Sequence, residues 1–334
     1  MGYALYGFGW SAIGYSQAPA PFLHLATAGG VYAVSALVVF VNAALALAVV
    51  EAHGRIMRLG GALATVLVAA GAAWLLSPPQ GSSEPAFRVG MVQTNVAQPM
   101  KWDREYRVEI VRNAAEKTRM LAQFEPLDLV VWPEGTVVDS FDEAPYAAML
   151  QQLVEETGVP LLAGSTRRDA RGVFNSAVLV EPGGDLTNYY DKVMLAPFGE
   201  FVPMQDSVFA FVRALSAFGG LSAGESFRTF TLDGHTLGPL ICFEVVPAHL
   251  SRLLRDQGAG AIVVVTNLSW FWASAALDQE WAIARMRAVE TRLPVIHSAN
   301  TGISGVIDPY GRVDLLRGLL YPDGRYVVLD EARV

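Results

Sequence analysis

Charged side chains are distributed very unevenly along the 334 residues, and this feature constrains the fold more than any other. Of the 24 Lys and Arg and 32 Asp and Glu residues, only Glu51, Arg55 and Arg58 lie within residues 1–83. All the others lie in residues 84–334, where their density approaches the roughly 25% of a typical soluble domain. The pattern therefore predicts a membrane region over residues 1–83 and a folded domain over residues 84–334.

This composition excludes several classes of protein. A chain that is 52% hydrophobic and only 17% charged is neither soluble from end to end nor disordered. The net charge of −8 excludes a protein that binds nucleic acid through its phosphates. Cys242 is the single cysteine, so the chain forms no internal disulfide and the domain must be stable through packing.

Two apolar segments are long enough to form membrane-spanning helices. Residues 31–50 contain no charge and, at about 1.5 Å per residue, can cross a hydrocarbon core about 30 Å thick. Residues 59–76 form a second run rich in Ala and Gly, whose small side chains favour close helix packing. A cleaved secretory signal is the alternative for the second run, but its position behind another predicted span argues against it.

The short link between the two runs indicates their orientation. Residues 1–50 contain no Lys or Arg, whereas the link contains Arg55 and Arg58. Cytoplasmic loops carry an excess of positive charge, so the link is predicted to lie in the cytoplasm. The domain that follows is then predicted to lie outside the cytoplasmic membrane.

Residues 77–83 have the Ser, Pro and Gly composition of a linker, and from Phe87 short apolar runs alternate with amphipathic stretches. This alternation is typical of an α/β domain. The predicted strands are 88–93, 127–132, 160–164, 176–181, 236–243, 261–266, 295–298 and 303–307. The predicted helices are 104–124, 144–157, 246–257 and 278–293.

The end of the predicted strand 236–243 carries the first candidate site residues. Cys242 is followed by Glu244 at the point where the apolar run breaks. Open α/β sheets expose reactive groups at the carboxyl ends of their strands, so Cys242 is a candidate nucleophile. A small buried apolar side chain is the alternative for Cys242 taken alone.

Three other charged residues interrupt apolar or aromatic sequence in a similar way. Glu134 follows the apolar strand that ends at Trp132, where partial burial would raise its pKa and suit a general base. Lys192 lies in an aromatic and apolar stretch, from which it could stabilise a thiolate or an oxyanion. Glu200 lies in a turn bounded by Pro and Gly. A solvated surface side chain is the alternative for each of them.

The combination of Glu134, Lys192 and Cys242 at three strand ends resembles the nitrilase, or carbon–nitrogen hydrolase, superfamily. Whole motifs resemble its membrane-bound branch, the apolipoprotein N-acyltransferase family, over nearly all of residues 87–315. These motifs are Trp132-Pro133-Glu134, Asp191-Lys192-Val193, Pro197-Phe198-Gly199-Glu200-Phe201-Val202-Pro203, Ile241-Cys242-Phe243-Glu244, Thr266-Asn267, Trp270-Phe271, Ala284-Arg285-Met286-Arg287-Ala288-Val289-Glu290 and Asn300-Thr301-Gly302-Ile303-Ser304. The apolar stretches Gly7-Phe8-Gly9-Trp10, Gly14-Tyr15-Ser16-Gln17 and Gly29-Gly30-Val31-Tyr32 resemble the region ahead of that family's last transmembrane helices.

The resemblance implies an αββα sandwich on the periplasmic side of a multi-pass protein in a bacterial inner membrane. Cys242 would take an acyl chain from a phospholipid as a thioester and pass it to the α-amino group of a diacylglyceryl-cysteine at the start of a lipoprotein. Glu134 would be the base and Lys192 would stabilise the tetrahedral intermediate, in a scheme that needs no metal or cofactor. The expected partners are the phospholipid donor, the lipoprotein acceptor and the membrane, with no nucleic acid.

The resemblance also implies supporting residues. Glu200 and Glu244 would orient Lys192 or the nucleophile, and Asn175 is a weaker candidate for the same task. A lipid-facing rim or mobile lid would be formed by Trp270, Phe271 and Trp272 with Phe209, Phe211, Phe218 and Leu221. Core aromatic side chains are the alternative for Trp270 and Phe271.

The sequence departs from the family's pattern in a few places. Leu268 stands where Asp is usual, Trp272 where Gly is usual and Glu280 where His is common. Members of the family also have further membrane helices before and after the matched region. Two alternatives to the transferase stay open: a membrane-tethered amidase that hydrolyses a small C–N substrate with the same three residues, and an inactive truncated remnant.

Overall fold

Two apolar helices precede the α/β part of the chain in the computed structural model, which describes residues 9–51, 53–77, 87–124, 126–197, 199–201, 220–320 and 326–329. The helices are α1 (Ala26–Val50) and α2 (Arg55–Leu76). Both are long and apolar enough to cross a membrane, and few of their side chains are buried. Each helix begins a few residues before the span predicted from composition.

Helix α1 is interrupted at Gly29 and Gly30, whose backbone is not helical. The φ of Gly30 is +64°, in the left-handed region that favours glycine. Regular helical backbone therefore resumes at Val31, which is also the first residue of the predicted membrane span 31–50.

The described strands form two sheets. The first has the order β1 (Val89–Met91), β2 (Leu129–Ser140), β3 (Leu161–Asp169), β4 (Gly172–Val180) and β5 (Tyr189–Asp191). The second has the order β12 (Tyr326–Leu329), β11 (Val313–Leu320), β10 (Gly302–Ile307), β9 (Val295–Ala299), β8 (Ala261–Thr266), β7 (His235–Ile241) and β6 (Phe230–Leu232). The helices that follow α2 are α3 (Gln98–Trp102), α4 (Arg104–Phe124), α5 (Tyr146–Thr157), α6 (Ala248–Asp256) and α7 (Ala276–Thr291).

Side chains that alternate along β2 show how the layers are stacked. Leu129 and Val131 pack into the cluster shared with the second sheet, whereas Val130 and Trp132 pack into the cluster that contains α4 and α5. A third cluster joins the other face of the second sheet to α6, α7 and the start of α1. This order of layers confirms the predicted αββα sandwich.

Several predicted boundaries differ from the structure. The predicted strand 236–243 is wrong at its end, because β7 stops at Ile241 and Cys242 begins a short 3-10 turn. The predicted helix 246–257 begins later, at Ala248, directly after Pro247. The strands that were not predicted are β5, β6, β11 and β12.

Residues 78–83 of the predicted linker lie outside the described residues. The same is true of the predicted rim residues Phe209, Phe211 and Phe218.

Candidate active site

Cys242 lies in a tight turn at the carboxyl end of β7. Its φ is +50°, a left-handed conformation that is uncommon for a residue with a side chain. Such conformations persist only where surrounding contacts hold them, and they cluster at functional sites. The turn leaves Cys242 half-buried at the end of the strand.

Glu134 lies within β2, where the pairing of β2 with β3 shifts register between Trp132 and Val137. The neighbouring backbone approaches Glu134 closely at Gly164 of β3. A Cβ atom added to Gly164 would lie 2.4 Å from the carbonyl oxygen of Pro133 and 2.6 Å from the Cα of Glu134. Only glycine fits there, so the placement of Glu134 depends on it.

A continuous chain of hydrogen bonds joins Glu134 to Lys192. The Asn175 side-chain amide donates to Glu134 Oε1 at 2.6 Å and to Glu200 Oε1 at 2.9 Å. Lys192 Nζ lies 2.9 Å from Glu200 Oε1 and 2.8 Å from Oε2. The backbone N–H of Ala196 donates to Glu200 Oε2 at 2.7 Å. Asn175 and Glu200 thus hold the carboxylate and the ammonium group in fixed positions.

Glu244 connects the Lys192 segment to the Cys242 turn. Its Oε1 accepts hydrogen bonds from the Tyr190 hydroxyl at 2.8 Å and from the backbone N–H groups of Val193 and Met194 at 2.9 Å. Its Oε2 accepts from the Ile241 N–H at 2.9 Å. The carboxylate is fully buried, so these bonds fix the backbone on both sides of the site.

Burial raises the pKa values of both Cys242 and Glu134. Burial raises the pKa of the Cys242 thiol well above its ordinary value, and the carboxylates of Glu134 and Glu280 raise it further. Burial also raises the pKa of Glu134, and Lys192 and Asn175 only partly offset that effect. The thiol therefore keeps its proton at neutral pH and needs a neighbouring base to react.

Lys192 stays charged although it is 1% exposed. Burial lowers its pKa, but the carboxylates of Glu200 and Glu134 outweigh burial and raise the pKa above the ordinary value. Burial raises the pKa of Glu200, whereas Lys192 and the Ala196 N–H lower it by more. The pair is therefore an ion pair at neutral pH.

Lys101 is a site residue that the sequence did not indicate. It is 2% exposed, and its Nζ donates to the backbone carbonyl of Glu134 at 3.1 Å. Burial lowers its pKa to about 8, against the opposing effect of Glu134. Lys101 lies eight residues beyond the end of the predicted strand 88–93, so no strand-end signal marked it.

Three members of the predicted aromatic rim are exposed. Trp270, Phe271 and Trp272 are 49%, 44% and 38% exposed, which rules out the core alternative for the first two. The ring of Phe271 lies 6.2 Å from that of Trp10, in the segment before α1. Contact of these side chains with lipid stays a prediction.

Comparison with known proteins decides the family. The family model described as "Carbon-nitrogen hydrolase" matches residues 88–314. The chain belongs to the carbon–nitrogen hydrolase family. A second family model, "Apolipoprotein N-acyltransferase N-terminal domain", matches residues 1–44 of this carbon–nitrogen hydrolase. The two matches confirm the predicted resemblance.

Relatives of known name cover most of the chain. A protein named apolipoprotein N-acyltransferase from Allorhizobium ampelinum is 38% identical over 92% of this chain and 60% of the relative. The protein of the same name from Geobacter metallireducens is 33% identical over 92% of this chain and 61% of the relative. The chain therefore spans about three fifths of the length of these relatives.

A solved structure shows the same fold. Saccharomyces cerevisiae Nit3, a member of branch 10 of the nitrilase superfamily, matches with a TM-score of 0.54 and 19% identity. The match covers 75% of this chain and 93% of Nit3. At this identity the match concerns the fold alone.

Proposed function

We propose that this carbon–nitrogen hydrolase is an apolipoprotein N-acyltransferase with Cys242 as nucleophile, Glu134 as general base and Lys192 as oxyanion stabiliser. It transfers a fatty acyl chain from a phospholipid to the α-amino group of the diacylglyceryl-cysteine at the start of a lipoprotein. Residues 1–83 form the membrane region and residues 84–334 the catalytic domain.

In the first half-reaction Glu134 takes the proton of the Cys242 thiol, and the thiolate attacks the ester carbonyl carbon of the phospholipid. Lys192 stabilises the negative oxygen of the tetrahedral intermediate. The carbon–oxygen ester bond then breaks, and Glu134 returns its proton to the departing lysophospholipid alcohol. The acyl chain is left on Cys242 as a thioester.

In the second half-reaction the α-amino group of the lipoprotein attacks the thioester. Glu134 takes a proton from the amine as the carbon–nitrogen bond forms. The carbon–sulfur bond then breaks and the sulfur of Cys242 regains a proton from Glu134. The products are an N-acylated lipoprotein and the free thiol enzyme.

The match of residues 1–44 to the N-terminal domain of apolipoprotein N-acyltransferases is the observation that favours transfer over hydrolysis. The alternative amidase uses the same three residues with water as acceptor, and nothing in the membrane helices supports a small soluble substrate. The exposed residues Trp270, Phe271 and Trp272 supply an apolar rim for acyl chains in this proposal. We place the catalytic domain on the periplasmic side of the inner membrane.

A product assay separates the candidate functions. The protein in detergent is incubated with a phospholipid that carries a labelled acyl chain and with a diacylglyceryl-cysteine peptide. Transfer predicts label in amide linkage on the peptide, and Cys242→Ser abolishes it. Label released only as free fatty acid supports a hydrolase instead, and label that stays in the phospholipid supports the inactive remnant.

A further inference from the structure

A cavity of about 430 Å³ lies between the end of α2, the segment before α1 and the α/β part of the chain. Helix α2 and the residue after it contribute Ala70, Trp74 and Ser77 to the lining, and the segment 19–24 contributes mainly apolar side chains. Arg285 of α7 and residues 310–312 line the rest. The cavity thus has an apolar side and a basic side.

The basic side of this cavity is separate from the surroundings of Cys242. The Glu280 side chain of α7 bonds to Thr266 of the second sheet at 2.9 Å, and β7 of the same sheet leads to Cys242. Arg285 follows Glu280 by five residues, which turns its side chain about 140° around the helix. Arg285 therefore lies on another face of α7, and no step of the proposed reaction uses it.

Positive charge is in excess on the basic side. The Arg285 guanidinium donates to a backbone carbonyl at 2.8 Å, and in the described part of the chain no carboxylate lies within ion-pair distance of it. Asp308 is paired with Arg312 instead. Arg292 and Arg312 both lie against the Tyr310 ring, 4.6 Å and 5.8 Å from its centre. Three guanidinium groups therefore share one carboxylate, and the cavity attracts an anion.

The position of the cavity at the end of α2 indicates which anion. Helix α2 is long and apolar enough to cross a membrane, and Trp74 lies two residues before its end, 75% exposed. A Trp near the end of such a helix is typical of the membrane–water interface, where lipid head groups lie. Guanidinium groups match phosphate oxygens, and basic pockets beside membrane helices bind lipid head groups.

We propose that this cavity binds a membrane phospholipid, with its phosphodiester group on Arg285 and an acyl chain along the apolar side formed by α2. An anionic phospholipid is preferred, because the ammonium group of a zwitterionic head group would meet the excess of guanidinium groups. The bound lipid fills the space between α2 and α7. The site is additional to the one at Cys242 and does not depend on the proposed reaction.

Photo-crosslinking to the full chain in detergent tests this site. All samples carry Cys242→Ala, which prevents acyl transfer to the protein. The probe is a phosphatidylglycerol with a diazirine in one acyl chain, added below saturation, and peptide mass spectrometry locates the label. We expect label on residues 70–77. A diacylglycerol with the same chain should give about tenfold less label there, because it has no charged group to accept from Arg285.

A pair of variants tests the role of Arg285. Arg285→Gln should lower phospholipid labelling of residues 70–77 about tenfold and leave diacylglycerol labelling unchanged. Arg255→Gln is the control, because it removes an exposed arginine of α6 that pairs with Asp256, and it should change neither. Equal phospholipid labelling in the two variants would overturn the proposal.

The comparison of the two lipids needs no change at Arg285, so it stands even if Arg285→Gln does not fold. Equal labelling of residues 70–77 by both lipids would show an apolar groove without a head-group site and would overturn the proposal. Loss of phospholipid label in the presence of inorganic phosphate at the same concentration as the probe would assign the site to free phosphate, with the same consequence. Because every sample lacks the Cys242 thiol, a failure of acyl transfer does not affect these results.

Discussion

At the scale of single residues, the raised pKa values of Glu134 and Cys242 set the pH range of the proposed reaction. Glu134 must be ionised to accept the thiol proton. Because burial raises its pKa, acylation falls as the pH drops through a range in which an exposed Glu is still ionised. The raised pKa of Lys192 keeps its charge over the whole of this range.

Lys101→Met tests whether the charge of Lys101 influences the pKa of Glu134. The positive charge of Lys101 lowers the pKa of Glu134, and Lys101 is charged below its own pKa of about 8. Its removal raises the pKa of Glu134, so the acidic limb of the pH–rate profile for acylation moves to higher pH. Lys117→Met is the control, since Lys117 is an exposed lysine whose Nζ also donates to a backbone carbonyl, that of Gln93, at 3.1 Å. Equal pH–rate profiles for the two variants would show that Lys101 has no specific effect on the pKa of Glu134.

Gly164→Ala tests whether the close backbone approach between β2 and β3 positions Glu134. The added Cβ forces the backbone at Glu134 to move, and a displacement of about 1 Å can slow a reaction about 100-fold. We expect acylation to slow by about 10-fold to 100-fold. Gly260→Ala is the control, because its nearest neighbour would lie at an ordinary 3.6 Å. Unchanged acylation in Gly164→Ala would show that the close approach does not position the base.

Sequence alone indicated some site residues and missed others for a physical reason. Glu134, Lys192 and Cys242 each interrupt an apolar run, and such a pattern can be recognised from the sequence alone. Lys101 reaches the site only through tertiary packing, and nothing beside it in the sequence marks it. Glu280 was noticed as a departure from a family pattern, but its contact with Thr266 depends on how α7 packs on the second sheet.

At the scale of elements, both apolar helices, α1 and α2, are capped by residues at the end of α7. Glu290 Oε1 accepts the Val31 N–H at 2.7 Å, where α1 restarts after its glycines. Arg292 donates to the carbonyl of Leu76, the last residue of α2, at 3.0 Å. A carboxylate at a helix start and a guanidinium at a helix end both complement the helix dipole. The α/β part of the chain and the two apolar helices are thus fixed to each other by charge.

Glu290→Gln tests this junction. Glu290 also pairs with the buried Arg287 at 3.2 Å, so the substitution leaves a buried charge unpaired. We expect a loss of about 3–5 kcal/mol in the free energy of unfolding, measured with denaturant in detergent. Glu109→Gln breaks an exposed pair with Arg112 and should cost less than about 1 kcal/mol. A similar loss in both variants would contradict the role of the junction.

The lengths of the elements explain which of them could be predicted. The helix 104–124 agrees with the prediction to the residue, because nearly six turns of amphipathic sequence give a strong periodic signal. The strands β5 and β6 have three residues each, too few for alternation to be recognised. The end of β7 was misplaced because the left-handed turn at Cys242 continues an apolar run.

At the scale of the whole molecule, the arrangement suits a reaction between two lipid substrates. An acyl chain moved into water costs about 0.8 kcal/mol for each CH₂ group, so a site held at the bilayer avoids most of this cost. Helices α1 and α2 and the exposed residues Trp270 and Phe271 provide apolar surface for this purpose in our proposal.

Reporter fusions test the orientation of the chain. The Arg55 and Arg58 link is predicted to be cytoplasmic. Alkaline phosphatase, which is active only outside the cytoplasm, should therefore be active when fused at Val334 and inactive when fused at Gly54. The reverse pattern would overturn the orientation.

The most direct test of the central claim is the intact mass of the protein after incubation with a phospholipid and no acceptor. We predict a mass increase of one acyl chain, located on Cys242, that is absent in Cys242→Ser and forms much more slowly in Glu134→Gln. An unmodified Cys242 in the wild-type protein would contradict the claim that this residue carries the acyl group.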